Sequence, residues 1–289
     1  MVKLAGLSLN EQEFLTDSLK QGIRSDGRSL DQFRDVEITL GDQPGYVDVR
    51  LGKTRVAVRV SGSITKPYED RPFEGIFTIS TEIGPIAGAF FENGRPSDEE
   101  VLVSRLIEKA IKRSGALDVE GLCIVAGDKC WNIRADIHFM DFDGGFIDAS
   151  CIGVITALQH FSRPEVTVSG EQVVVYSTDE REPVKLSILH VPICVTFALF
   201  NPKEKEENIK GGADGNEEAG EFAIVDATMK EEGLSNGTLT ITMNKNKEIC
   251  QISKSGGLPA EGLMVMDCAN KAYGIVEKLT DQIKEVLKQ

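Results

Sequence analysis

Two adjacent stretches, "GYVDVRLG" at 45–52 and "KTRVAVRVSGS" at 53–63, constrain this chain more than anything else in it. Val47, Val49 and Leu51, then Val56, Val58 and Val60, recur at every second position, the period of a strand with one buried face. Gly52 and Lys53 stand between the two runs as a hairpin turn. "FEGIFTIS" at 73–80 reads as a third strand, and "LCIVAG" and "WNIRADIHFMD" as two more. Strands that come in hairpins, with helices after them, predict an α+β chain with a mainly antiparallel sheet.

The first of those helices begins at "SDEEVLVSRLIEKAIKRSGALD", 97–118. Ser97 and Glu100 form a capping box, acids fill the first turn, and Lys112 with Arg113 fill the last, as the helix dipole favours. Leu102, Leu106, Ala110 and Ile111 are its expected buried stripe. A second helix opens at "DGGFIDAS", 143–150, and runs to about Gln159. Gly144 and Gly145 allow positive φ. A glycine pair feeding a helix start is a common phosphate cradle, because the first N–H groups have no intrahelical partner. The next three residues in this chain are Phe146, Ile147 and Asp148, where an anion site wants hydroxyls and a cation.

A similar half comes after the turn at "SRPEV". Strands are expected at "VKLSILH", "ICVTFALF", "FAIVDAT", "TLTITMN" and "EICQISKSG", then a long helix from about Pro259 to Lys288. Leu7, Phe14, Leu15 and Leu19 mark an amphipathic arm at the other end. The expected organisation is an arm at 1–24, a first domain at 25–164 and a second at 165–289. Within the second, 201–221 holds seven acids, three lysines and four glycines with almost nothing to bury, and is expected to be a mobile insertion.

With 41% hydrophobic residues in 289, the chain can bury a real core. Its longest apolar runs stop short of the roughly 20 residues of a membrane helix. Its first 20 residues lack a basic region leading into an apolar one, so no secretory signal and an intracellular home are expected. Six cysteines without a C-x-x-C pair are expected to be reduced, structural thiols. A net charge of −14 argues against a surface that grips nucleic acid everywhere, and leaves room for a local groove.

"GIRSDGRSLDQFR", "DRPFEGIFTIS", "SRLIEKAIKRSGALDVEGLCIVAGDKCWNIRADIHFMDFDGG" and "VDATMKEE" together resemble the RNase PH family, in order and from about Gly22 to Ala272. Within it the chain is similar to the non-catalytic ring subunits of the eukaryotic RNA exosome. The resemblance implies two RNase PH-type βαβ modules with mainly antiparallel sheets and a C-terminal helix. It further implies a heterohexameric ring with other RNase PH-like subunits, RNA-binding cap subunits, a separate hydrolytic exoribonuclease and single-stranded RNA as partners, with no membrane and no cofactor. Such proteins work in nucleus, nucleolus and cytoplasm. The arm and the last helix are then expected to meet neighbouring subunits, because their apolar stripes need partners.

The resemblance also bears on chemistry. Active family members carry Thr-Arg-Thr after the glycine pair, and its arginine and hydroxyl hold the attacking phosphate. Phe146, Ile147 and Asp148 stand there instead, so the phosphate site is expected to be lost, with Asp148 occupying the exposed helix N–H groups. Active members also carry two acids six residues apart. Asp226 and Glu232 keep that spacing, and two readings compete: a converging acid and base, or a strand-ending Asp beside a solvated acidic turn. The expected function is a catalytically inactive ring subunit that supports 3′-to-5′ RNA processing and decay; the alternative is a phosphate-dependent 3′ exoribonuclease, alone or through a composite site.

For RNA contact the candidates are Arg71, Arg95, Arg105, Lys109 and Lys112, the last three spaced to share a helix face. A solvated helix face laced with i,i+4 pairs is the competing explanation. His138, His160 and His190 lie at no metal-like spacing and are expected to be structural, as is Trp131. "NGT" at 236–238 is expected to be a hairpin turn, and "GGADG" lacks the Lys-Ser/Thr of a P-loop.

Overall fold

The computed structural model describes residues 7–92, 94, 97–169, 172–177, 180–201, 221–257 and 259–288. The hairpin is where its spacing places it: β2 (Tyr46–Leu51) pairs antiparallel with β3 (Thr54–Thr65) across Gly52. Val47, Val49, Leu51, Val56 and Val58 are all fully buried. β1 (Val36–Leu40), β4 (Ile76–Ile83), β5 (Cys123–Val125) and β6 (Lys129–Asp141) complete a six-stranded sheet ordered β1-β2-β3-β6-β4, with β5 paired to β6 off this path. β4 runs parallel to β6, so this sheet is mixed. A parallel neighbour needs a crossover, and the one here is the chain from Gly84 through α2 (Asp98–Glu108) to β5.

The capping box at α2 forms as its residues require: Ser97 Oγ accepts from Glu100 N, and Ser97 N donates to the Glu100 carboxylate. A π-helical turn, Lys109–Arg113, continues the helix. The buried stripe is Val103, Leu106, Ile107, Ala110 and Ile111, at the i, i+3, i+4, i+7, i+8 spacing of one helix face. Leu102, expected in that stripe, is 43% exposed.

α3 (Phe146–His160) is apolar almost all round, which suits a helix covered on every side. It lies against β2 and β3 on one side and β11 (Ile193–Phe200) on the other, so it is the layer that both halves share. Gly153 makes the close approach possible, since a Cβ there would lie 2.7 Å from Val58 Cγ2. The second sheet is antiparallel in the order β12 (Phe222–Val225), β11, β13 (Gly237–Met243), β14 (Ile249–Gly256). Two short strand pairs lie between the halves in sequence: β7 (Ser162–Arg163) with β10 (Val184–Lys185), and the hairpin β8 (Val166–Ser169) with β9 (Gln172–Val175). "VKLSILH" therefore contributes only two strand residues. "NGT" leads from α4 (Met229–Leu234) into β13 and is no hairpin turn; the β13–β14 turn lies at residues 244–248.

α5 (Gly262–Val286) buries Cys268, Ala272, Val276, Leu279 and Ile283, at steps of four or three, against β1, β11 and β13. One hydrophobic core thus runs from Val36 to Ile283 through both halves. α1 (Leu9–Lys20) does not wait for an outside partner: Leu15 and Leu19 pack in a second cluster with Ala198, Phe200, Ile224 and Leu234. Leu9 and Phe14 on α1, and Leu263 and Met266 on α5, stay exposed. The acidic insertion lies outside the described residues at 202–220, as do Arg95, "GGADG" and residues 1–6. No helix among the described residues is long and apolar enough to cross a membrane.

Candidate functional site

The glycine pair is where the two halves meet. Gly144 and Gly145 have φ of 80° and 73°, in the left-handed region. Space demands glycine as well. A Cβ on Gly144 would collide with the carbonyl of Ala227, and one on Gly145 would lie 2.7 Å from Arg34 Nη2. The turn is therefore built for the close passage of second-half backbone.

Arg34 ties the turn to the second half. Its Nη1 donates to Asp143 O at 2.8 Å and its Nη2 to Gly144 O at 3.1 Å. Nε and Nη2 of the same guanidinium grip Asp226 at 2.8 and 2.6 Å, one to each oxygen, and the Arg34 backbone N–H adds a bond at 2.9 Å. Arg28 Nη1 reaches Asp226 Oδ2 at 3.0 Å. Burial works against the Arg34 charge, yet the bonds and charge of Asp226, with Asp143 and Glu232, hold its pKa above the ordinary value. Asp226 sits at φ 48°, uncommon for a non-glycine residue, and its buried carboxylate is sequestered by two arginines. A third arginine closes the clasp: Arg24, 2% exposed, pairs with Glu231 at 2.6 Å and donates to the carbonyls of Val225 and Asp226.

The solvated account of the acid pair does not hold. Asp226 is no solvated strand end, and Glu231 and Glu232 are no solvated turn. Glu232 accepts a bond of 2.8 Å from Gly145 N, so a carboxylate from 87 residues away sits at the start of the helix. Burial pushes the Glu232 carboxyl up to about 7, against the Gly145 N–H and the Arg34 charge, with Asp226 and Glu99 adding to the rise.

Asp148, expected at those N–H groups, is elsewhere. Its position in the first turn of α3 faces β11, so it points into the core and takes bonds from Thr196 N at 2.9 Å and Thr196 Oγ1 at 2.7 Å. Burial pushes its carboxyl up to about 8; the Thr196 bonds oppose this, and the charges of Asp226 and Glu232 reinforce it. Phe146 turns the other way, stacked on Phe142 at 4.1 Å and tilted against Phe139 at 4.2 Å between centroids. The ring fills space that a small hydroxyl would leave open.

Above this floor lies a cavity of about 410 Å³. Phe142, Phe146, Ile147, Leu102 and Val103 give it apolar walls, and Asp98, Glu99 and Glu232 give it carboxylates. No arginine, lysine or histidine is among the described residues that line it. Among the described residues, a phosphate dianion placed here meets like charge and no lining cation.

None of Arg71, Arg105, Lys109 and Lys112 lines this cavity, and Arg95 lies outside the described residues. Arg71, on the β3–β4 loop, pairs with Glu74 at 3.3 Å and is 59% exposed. Arg105 pairs with Glu108 at 3.1 Å, and Lys112 approaches the same carboxylate at 4.0 Å. Lys109 is exposed at the start of the π-helical turn, so the regular α spacing expected for 105, 109 and 112 is broken between the last two. Trp131 is buried under Arg163. His160 Nδ1 accepts from Gly45 N, and His138 pairs with Glu82. All six cysteines are free. Among the described residues no group of three or more His, Cys, Asp or Glu is placed to hold a metal ion.

The site residues missed in the sequence are Arg24, Arg28 and Arg34. Three arginines in eleven residues, ahead of the first strand of a chain this acidic, are the one signal that pointed to them.

A clasp between two α+β halves, folded on a helix start that the family resemblance ties to phosphate, defines a class. Residues 32–164 match the model of domain 1 of the 3′ exoribonuclease family and 190–273 that of domain 2. The chain belongs to this family, the RNase PH family. It is 58% identical to the exosome complex component RRP45 of Saccharomyces cerevisiae, over 100% of this chain and 93% of that protein. To the Schizosaccharomyces pombe component rrp45 it is 52% identical, over 97% and 90% of the two chains. Among solved structures it is similar to a chain of the Archaeoglobus fulgidus exosome with RNA bound to the active site, at 28% identity and a TM-score of 0.77, covering 94% and 96%.

Proposed function

We propose that this chain is a catalytically silent ring subunit of an RNA exosome, which supports 3′-to-5′ RNA processing and decay by assembling the ring and helping to thread RNA. High identity to exosome components over nearly the whole length supports the ring role. The single observation that carries the silence is Glu232 bonded to Gly145 N at the start of α3, beneath a cavity whose described lining has carboxylates and no cation. Phosphorolysis needs an inorganic phosphate held in line with the scissile bond, and here the Gly145 N–H is taken by a carboxylate and no described cation lines the cavity. Asp226 and Glu232, kept at the family's spacing, act on this reading as a structural clasp.

The partners that fit are other RNase PH-like subunits in a heterohexameric ring, RNA-binding cap subunits, a hydrolytic exoribonuclease and single-stranded RNA. Nucleus, nucleolus and cytoplasm are the proposed compartments. Exposed Leu9, Phe14, Leu263 and Met266 are the apolar positions left for neighbours. Arg71, Arg105, Lys109 and Lys112 are the proposed RNA contacts, the acid partners of Arg71, Arg105 and Lys112 being exchanged for phosphates.

The test is release of nucleoside diphosphate from labelled single-stranded RNA at saturating phosphate and magnesium, with the chain alone and then joined to a ring partner. No release, with a stable complex confirmed by mass, is expected. Release that disappears in the Asp226→Asn variant would overturn the proposal in favour of a phosphate-dependent exoribonuclease.

A further inference from the structure

The cavity over α3 has lost the features of a phosphate site without closing. Its volume of about 410 Å³ lies in the range of about 300–1,000 Å³ that ligand pockets occupy. Phe146 and Val103 form an apolar floor and wall, and Asp98, Glu99 and Glu232 give every charged described group at it the same sign. The apolar surface continues outside the mouth on the same helix, where Leu102 is 43% and Val101 52% exposed. Such a surface selects an occupant that is apolar where it enters, positive beside Asp98, and long enough to cover α2 beyond the cavity. A polypeptide segment meets all three demands; a nucleotide fails the second.

We propose that this cavity is a docking site for a partner polypeptide segment that buries an aliphatic side chain against Phe146 and Val103 and sets a lysine or arginine against Asp98. The inference rests on the reading that the phosphate site is abandoned. It deepens that reading: the family's anion pocket has become a pocket for a basic, apolar peptide. Asp98 is the first residue of α2, on the outer rim, and it is exposed, so a cation reaches it without burying an unpaired charge.

The experiment uses two fluorescein-labelled peptides, Leu-Lys-Leu-Arg and Leu-Glu-Leu-Glu, monitored by anisotropy on the purified chain and on the chain within its ring. Saturable binding of the basic peptide at least tenfold tighter than the acidic one is expected. Asp98→Lys should weaken it at least fivefold, and Leu102→Trp, which fills the mouth from an exposed position, should abolish it. Equal binding of the two peptides, or no response to either substitution, would sink the docking site. Binding that appears only after residues 1–6 are removed would assign the cavity to the chain's own start and equally overturn it. Inorganic phosphate titrated alone by calorimetry separates the two levels: heat of specific phosphate binding refutes the abandoned site itself, whereas silent phosphate with silent peptides refutes only the docking inference.

Discussion

Removing the carboxylate of Asp226 should cost this chain far more stability than a surface acid would. The Asp226 side chain is wholly buried, that of Arg34 is 7% exposed, and four bonds of 2.6 to 3.0 Å from Arg34 and Arg28 converge on one carboxylate. In Asp226→Ala the Arg34 guanidinium loses its close counter-charge inside the fold, while Arg28 keeps Asp26 at 2.6 Å; breaking one buried pair costs about 3–5 kcal/mol. Unfolding entropy near 2.1 cal/mol/K per residue gives about 0.6 kcal/mol/K for a chain of this size, so Tm should fall by about 5–8 °C. Thermal unfolding of the purified chain by circular dichroism measures this directly. The Tm of Arg34→Met should fall by a similar amount. Arg34→Met combined with Asp226→Ala should cost less than the sum of the two, because removing both members of that pair leaves neither charge orphaned by the other; a coupling of about 1–3 kcal/mol is expected from the cycle. A Tm loss below 2 °C in both single variants, or additive losses in the pair, would refute the clasp and return Asp226 to a catalytic account.

The same geometry sets three further outcomes. Asp148 and Glu232 both have folded pKa values raised above their ordinary 3.8 and 4.5, so the fold binds their protons more tightly than the unfolded chain. That stability is present at low pH and is lost as pH rises, between about 4 and 8 for Asp148; Tm of the Asp148→Asn variant, whose amide can still bond Thr196, should therefore gain on the parent across that window, and a constant difference would contradict the assignment. Alanine at both Arg71 and Arg105 should leave ring assembly intact while lowering the slope of log affinity for single-stranded RNA against log salt by about 1.4, at roughly 0.7 per lost phosphate contact; an unchanged slope or a ring that falls apart removes them from the RNA path. Gly153→Val should lower Tm by several degrees, since even its Cβ meets Val58 at 2.7 Å where α3 packs on the sheet; overpacking of that kind costs about 1–3 kcal/mol, and a silent substitution would mean the layers separate easily.

Local rules made much of this protein legible before any coordinates. Alternation at 46–60 yields β2 and β3 because a strand's period is two, and the side chains that alternate are the ones that become buried. The Ser97 box and the Gly144–Gly145 start of α3 are equally local, each set within four residues. The periodicity of α2 misled at Leu102 because steps of four from Ala110 back to Leu102 drift off the buried face, which Val103 and Ile107 hold instead. The parallel pairing of β4 with β6 was also out of reach, since register and direction between distant strands are settled by the layers above them.

The site divides along the same line. Residue identity alone shows that no hydroxyl and no arginine stand at 146–148 after the glycine pair. The groups that replaced them are a matter of packing in three dimensions. Asp148 sits in the first turn of its helix, where dipole arguments place a carboxylate on the free N–H groups, yet packing against β11 turns it onto Thr196. The N–H goes instead to Glu232, 87 residues on, and the charge of Asp226 is matched by arginines 192 and 198 residues before it. Charge and hydrogen bonding act through space with no regard for sequence distance, so which acid meets which donor becomes defined only once α3 is closed between the two sheets.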